Sequence, residues 1–467
     1  MDNTASVSPD GSWVDEVLLA GPAGAAVLRL GERIERGTLR RLVLDRQERL
    51  AEAGLRSGGA VAIRLPPSVD FITTVLAAWR TGAQAILLDY RLTDHEVTAC
   101  LDRLMPQFIV EPGTAVRGTL RGFFEVDSVV VPRGGRAAGT AHALIQFSSG
   151  STGPSKVIGR TAGDLVAEID RYTRLDGFPA SGDQVVVLAS MPHVLGLVGG
   201  LLHSLHAGVE MVVPQHAGTD GILRCLAGAT APTVLLGVPS QAELLASVPD
   251  PPRLPLLQRM VTGGELVSDA LWHRFADRYR VRIGNMYGMT EAGVIATDLL
   301  AEHRPALRCA PGHELRVSGQ ELLLRTPAPP YVGLVDPTRW ADGWLHTRDA
   351  GAVSPETGLI VVRGRLDSQV SVGGLKVDLT EVEQTLAAAP GVAEAVVIYD
   401  GAVEAYVALA DGAAGTAQAE LYVRERLAGY KRPRAIYVLE SLPRTSSGKP
   451  LRDPAALNAA RLSEAVS

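Results

Sequence analysis

Cysteine is scarce in this chain. Cys100, Cys225 and Cys309 stand far apart among 467 residues with no CxxC spacing, so neither a disulfide framework nor a thiolate zinc site is indicated, and a reducing cytoplasm fits best. An excess of positive charge is also missing. The formal net charge of −6 gives no general attraction to nucleic acid, whose binding rests on neutralising phosphates with Lys and Arg. The best local basic clusters, Arg40-Arg41 and Lys431-Arg432-Pro433-Arg434, are short enough to be solvated surface. No apolar run approaches the ~20 residues that span a bilayer, and residues 1–12 are acidic and polar, so neither a membrane segment nor a signal peptide is expected. The ten histidines include no HExxH, and His203 and His206 lie in an apolar stretch where they read as core. What is present is the composition of a packed globular chain, 46% hydrophobic and 21% charged, too long for one hydrophobic core.

The most informative stretch runs from Gln146 to Val157. It carries the hydroxyls of Ser148, Ser149, Ser151, Thr152 and Ser155, the glycines Gly150 and Gly153, and Lys156, directly after the apolar run Ala143-Leu144-Ile145, which reads as a buried strand. Such a loop suits a polyphosphate, because glycines let backbone N–H groups approach an anion while hydroxyls and a lysine add donors and charge. The competing reading is a solvated turn, since Ser, Thr and Gly favour turns. It is not a Walker loop, because Lys156 follows Ser155 and precedes Val157.

Along the chain, strands and helices alternate. Residues 25–30 read as a strand, and Thr38 can cap a helix to about Ala53 with Gly54 as its stop. Residues 59–65 read as strand, 68–81 as helix and 83–88 as strand. Thr93 and Glu96 form a capping box opening a helix to about Leu104. Helices at 164–172, 195–207, 221–227 and 240–246 then alternate with strands at 184–188, 209–213, 233–237 and 257–262. This is the rhythm of doubly wound α/β sheets. From Glu314 short strands and turns suggest a small β-rich subdomain, with strands at 314–317, 321–325 and 344–346. The last hundred residues read as a separate α+β unit in which 359–363 pairs with 369–372, with 364–368 as the boundary.

Further motifs carry chemistry. After the strand 281–283, the run Asn285 to Gly293 offers an aromatic face, a hydroxyl and a carboxylate: Tyr287 can stack on a base, Thr290 can bind phosphate and Glu291 can hold magnesium through its hard oxygens. Asp349, read as following a strand, can accept from both ribose hydroxyls. Arg365 and Asp367 precede Gly373-Gly374, and Lys449 lies near the C-terminus. Singly, each has a bland reading as a turn or a chance pair.

In this order and spacing the motifs resemble the adenylate-forming superfamily of acyl-CoA synthetases, peptide-synthetase adenylation domains and luciferases, over residues 26–452, and most closely the acyl and aryl acid ligase branch. The resemblance implies an α/β fold with a large N-terminal domain of doubly wound sheets and a small β-rich subdomain, residues 1–366, plus a small mobile α+β C-terminal domain, residues 367–467. It implies that Ser148, Ser149, Gly150, Ser151, Thr152, Gly153 and Lys156 hold the β- and γ-phosphates of ATP. Gly264 and Glu265 would flank the adenine opposite Tyr287, with Asn285, Met286 and Gly288 completing the nucleotide site. Thr290 would touch the α-phosphate, Glu291 would hold Mg2+, Asp349 and Arg365 the ribose, Asp367 would be the hinge and Lys449 the catalytic lysine. The phosphate loop departs from the family's pattern, with a shifted proline and Val157 in place of glycine. Arg348 replaces a glycine beside Asp349, where it either tunes ribose binding or points to solvent.

The stretch Ser190 to Leu197 resembles the His-containing motif of acyl- and aryl-CoA ligases, placing His193 by the acid's carboxylate. It offers no aspartate to pair with an ammonium, which disfavours an α-amino acid. Pocket walls are expected from 193–201, 236–240, 263–265 and 285–289. The implied activity is adenylation of a small aryl or acyl carboxylic acid with pyrophosphate release, then transfer to the thiol of CoA or a carrier protein. The alternative is activation of nitrite or another small acid for an amine, as in a diazotase or amide ligase. No nucleic acid or membrane partner is implied, and a homodimer is one assembly open to it.

Overall fold

A computed structural model describes residues 11–114, 116, 121–148, 156–264, 267–410, 415–443 and 450–464. The chain divides into two compact units. One comprises residues 1–90, 105–147 and 157–364, and the other 91–104, 148–156 and 365–467.

The first unit is built on two large sheets. In one, the parallel strands Phe108–Pro112, Ala60–Ile63, Gln84–Leu87 and Leu144–Ser148 lie side by side, with Ser128–Pro132 antiparallel at one edge and Lys156–Arg160 at the other. In the other, nine strands include a continuous parallel run of Ala26–Leu30, Glu210–Val213, Gln184–Val187, Thr233–Gly237, Leu257–Gly263 and Ile283–Met289. Strands such as Ala60–Ile63, Gln84–Leu87 and Glu210–Val213 are buried at every position, as expected of parallel strands covered on both faces. The small β-rich subdomain forms as a further sheet of Leu315–Ser318, Glu321–Arg325, Trp344–Val353 and Trp340–Ala341. This is the α/β architecture expected of the chain.

Local signals account for many helix ends. Ser68 caps Val69–Arg80 by accepting from the Phe71 N–H at 3.0 Å. The Thr93–Glu96 box forms: Glu96 accepts from the Thr93 N–H at 2.9 Å, and the Thr93 hydroxyl accepts from the Glu96 N–H at 3.3 Å. Other expectations change. The first long helix spans Arg36–Glu52 with Glu35 at its N-cap, so Thr38 is interior and caps nothing. The stretch expected as one helix at 195–207 starts as a π-helical segment, Leu195–Leu202, before the α-helix His203–Ala207. His203 is buried as expected, whereas His206 is exposed and donates to the Val17 carbonyl.

The second unit holds a three-stranded sheet of Val392–Tyr399, Val403–Leu409 and Ala435–Leu439. The expected pairing of 359–363 with 369–372 does not form. Ile360–Arg365 joins Trp344–Val353, and Gln369–Val372 instead pairs with Leu375–Asp378 across Gly373-Gly374. Both glycines have positive φ, 58° and 80°, as a two-residue hairpin turn of the I′ type requires. The helix Asp94–Leu104 groups with this unit: Lys431 Nζ donates to Glu96 at 2.8 Å and to Glu381 at 2.9 Å. Lys431 is therefore buried, not part of a solvated basic surface. Burial opposes its charge, but Glu381, Tyr430 and Glu96 outweigh it and raise its pKa.

Candidate active site

Ligands of open α/β sheets bind beyond the carboxyl ends of the strands. Here the adjacent parallel strands Thr233–Gly237, Leu257–Gly263 and Ile283–Met289 end in register, Gly237 opposite Thr262 and Gly263 opposite Met286. The segments expected to wall the pocket thus meet at one sheet edge. A Cβ on Gly263 would lie 3.3 Å from the Leu195 side chain and 3.4 Å from the Met286 carbonyl, so the π-helical segment is packed onto these strand ends. Thr262 donates to Asn285 Oδ1 at 3.3 Å.

Tyr287 lies in the last parallel strand, and Thr290, Glu291 and Ala292 form the turn to the antiparallel strand Gly293–Asp298. The Tyr287 hydroxyl donates to Asp349 Oδ2 at 2.7 Å. Asp349 does not follow a strand but lies inside one, Trp344–Val353. Its direction comes from a bulge. Glu321 pairs with Ala350 but Leu323 with His346, leaving Thr347, Arg348 and Asp349 opposite one residue. A bulge turns a side chain out of the strand's alternation. Arg348 takes φ of 61° there and reaches the Thr338 carbonyl at 2.6 Å, while Thr347 is pinned to the Leu322 carbonyl at 2.7 Å. Asp349, 6% exposed, is left beside Tyr287.

Glu291 accepts from the Tyr331 hydroxyl at 3.5 Å. Burial, then the Glu291 charge, pushes the Tyr331 phenol up, so it stays a donor. A single carboxylate at a turn fits magnesium, which takes one or two carboxylates together with substrate phosphates and water. Among the described residues no group of three or more His, Cys, Asp or Glu forms a metal cluster.

His193 Nε2 lies 3.4 Å from Asp89 Oδ2. Asp89 follows the strand Gln84–Leu87, and sequence reasoning missed it. The available signal was a carboxylate at the carboxyl end of a buried parallel strand. Gln146 donates to the Pro192 carbonyl at 2.6 Å, tying the strand Leu144–Ser148 to the His193 segment. Lys156 opens the strand Lys156–Arg160 and is buried, and Ser148 closes the strand Leu144–Ser148. Ser149, Gly150, Ser151, Thr152, Gly153, Glu265 and Lys449 lie outside the described residues. Gly264 is exposed with φ of 91°. In the second unit Arg365 grips Asp367 through two hydrogen bonds, at 2.9 and 2.6 Å.

A doubly wound fold with an aromatic-carboxylate pair and a Thr-Glu turn at the strand ends defines a nucleotide-handling enzyme. The chain belongs to the AMP-binding enzyme family, whose model matches residues 25–324, with the family's C-terminal domain matched at 381–449. A 7a-methyl-1,5-dioxo-octahydroindenyl-propanoyl:CoA ligase of Mycobacterium tuberculosis is 28% identical over 93% of this chain and 96% of that protein. An indoleacetate–CoA ligase of Aromatoleum aromaticum is 27% identical, covering 94% and 96%. The fold superposes on o-succinylbenzoate CoA synthetase of Bacillus subtilis with a TM-score of 0.81 at 23% identity, covering 96% of this chain and 98% of that one. No helix among the described residues is long and apolar enough to cross a membrane.

Proposed function

We propose that this protein adenylates a small aryl or acyl carboxylic acid with ATP and passes the acyl group to a thiol, of CoA or of a carrier protein. The observation that carries the reading is the Tyr287–Asp349 hydrogen bond at 2.7 Å beside the Thr290–Glu291 turn. In this reading the Tyr287 ring stacks on the base, Asp349 binds the ribose and the Thr290 hydroxyl binds phosphate. CoA ligase relatives aligned over nearly their whole length support the same reading.

In the first step a carboxylate oxygen attacks the α-phosphorus, the bond to pyrophosphate breaks, and an acyl-adenylate remains. In the second a thiolate attacks the acyl carbon and AMP leaves. Ser148, Lys156 and the intervening loop hold the β- and γ-phosphates, Thr290 the α-phosphate, and Asp349 with Arg365 the ribose. Glu291 would hold Mg2+, which when bound would offset phosphate charge. Lys449 bridges acid and α-phosphate as negative charge gathers between them. His193, backed by Asp89, faces the acid. Residues 1–366 bind ATP and acid, and 367–467 form the mobile domain, with Asp367 as hinge.

An ATP–pyrophosphate exchange panel over aryl acids, fatty acids, amino acids and nitrite tests this. Exchange with an aryl or acyl acid is expected. Exchange with nitrite alone would replace the reading by amine-directed activation, and exchange with α-amino acids alone would make Asp89 an ammonium partner. The two half-reactions separate the lysine from the hinge. Lys449→Ala should abolish adenylation yet spare thioester formation from preformed acyl-adenylate, and Asp367→Pro should do the reverse; equal loss of both half-reactions in either variant would overturn its assignment.

A further inference from the structure

The Thr290–Glu291 turn is held from beneath by groups far away in sequence. Its outgoing strand leaves register at once, Tyr287 pairing with Ala296 but Gly288 with Val294. Backbone groups displaced from a ladder need other partners when buried. Val294 finds them in side chains: its N–H donates to Glu168 Oε1 at 3.2 Å, and His313 Nε2 donates to its carbonyl at 3.0 Å. Glu168 has no exposed side-chain surface, and its other oxygen accepts from Arg160, whose side chain is 5% exposed. Arg160 also donates to the Asp164 carbonyl at 3.2 Å.

Gly293 makes this approach possible. It has φ of 76°, and a Cβ there would lie 2.2 Å from the Glu168 carboxyl carbon, so only glycine lets the carboxylate reach the turn. At the other end, Arg160 closes Lys156–Arg160, a strand buried at all five positions that begins at the lysine of the phosphate loop. A buried ion pair is weak evidence for stability, because well-packed apolar residues often do as well or better. This pair instead joins two segments that handle phosphate.

We infer that Arg160 and Glu168 form a positioning couple, which fixes the Thr290–Glu291 turn relative to the strand leaving the phosphate loop and so aligns the α-phosphate and cation contacts. The inference rests on the adenylation reading above. Both side chains are buried, 5% and 0% exposed, and the adenylation reading gives neither a contact with the nucleotide.

The test uses Glu168→Gln, which keeps an acceptor for Val294 but loses the charge, and the double variant Arg160→Met/Glu168→Met, which leaves no unpaired buried charge. Both are measured as full-length protein for melting temperature, pyrophosphate-exchange kinetics and Mg·ATP binding by calorimetry. The double variant leaves the Val294 N–H without its acceptor, so it should melt below the wild-type temperature by the equivalent of one lost buried hydrogen bond, yet exchange about ten-fold or more slowly, with the KM for the acid unchanged. Glu168→Gln should show a smaller loss in kcat, and both should bind Mg·ATP more weakly. A merely structural pair would give wild-type kcat once folding is restored, and that result would overturn the inference. If the double variant does not fold, Glu168→Gln decides alone, a wild-type kcat with wild-type Mg·ATP affinity being the overturning result. If the wild type exchanges with no acid, the adenylation reading fails separately. The calorimetry then still decides the positioning, equal affinity in wild type and variant counting against it.

Discussion

Tyr287 and Asp349 stand 62 residues apart and share one hydrogen bond, and each was recognisable in the sequence by its type and motif. Their contact was not, because it depends on a bulge that turns Asp349 out of its strand's alternation. Asp89, 104 residues from His193, and Glu168, 126 residues from Val294, carried no motif at all. Their side chains gain a role only where separate elements meet. Tyr287→Phe keeps the ring and removes the donor to a nearly buried carboxylate. It should cost about 1 kcal/mol of stability and raise the KM for ATP about five-fold, with the KM for the acid unchanged. Pyrophosphate exchange at varied ATP measures this, and an unchanged KM for ATP would remove the hydroxyl from the site.

At the scale of elements, signals confined to one helical turn were legible. The Thr93–Glu96 box forms as its residues predict, and Thr161 with Asp164 makes a second one, the Asp164 carboxylate accepting from the Thr161 N–H at 2.8 Å. That second box starts the helix carrying Glu168, directly after Arg160. Thr161→Ala should therefore cost about 1 kcal/mol in urea unfolding with an unchanged denaturant slope. Strand partners were less legible. The stretch 360–365 has the texture of a strand whichever neighbour it takes, and only the folded subdomain sheet shows that its partner is Trp344–Val353. The placement of Asp94–Leu104 in the second unit was equally invisible, since it turns on Glu96 meeting Lys431, 335 residues later.

At the scale of the whole molecule, the large core of the first unit encloses a titratable group. His203 is 1% exposed against Tyr172 and Phe178, its Nδ1 has no partner among the described residues, and burial, then His206, lowers its pKa to about 3. The unfolded chain, with an ordinary histidine pKa near 6.5, binds more protons between these values. Stability is therefore full above about pH 6.5 and falls as pH drops through this window, by about 2 kcal/mol at pH 5 from this residue. Urea midpoints from pH 7.5 to 5 should show the decline, and His203→Leu should make it shallower, the remainder including His313, whose pKa burial lowers to about 4. An equally steep decline in the variant would move the cause elsewhere.

The sequence by itself determined the α/β class, the family, the Thr93–Glu96 capping box and the residue types of the motifs. These rest on local chemistry: alternating apolar periods, side chains that cap their own turn, and short motifs whose residues act together. Only the tertiary structure decided that Asp349 turns toward Tyr287, that Asp89 backs His193, that Lys431 is buried between two glutamates, and that Glu168 reaches under the Thr290–Glu291 turn through the space at Gly293. Each of these depends on packing between distant segments, where a missing Cβ or a slipped register determines which polar groups can meet, and no local pattern in the chain encodes that.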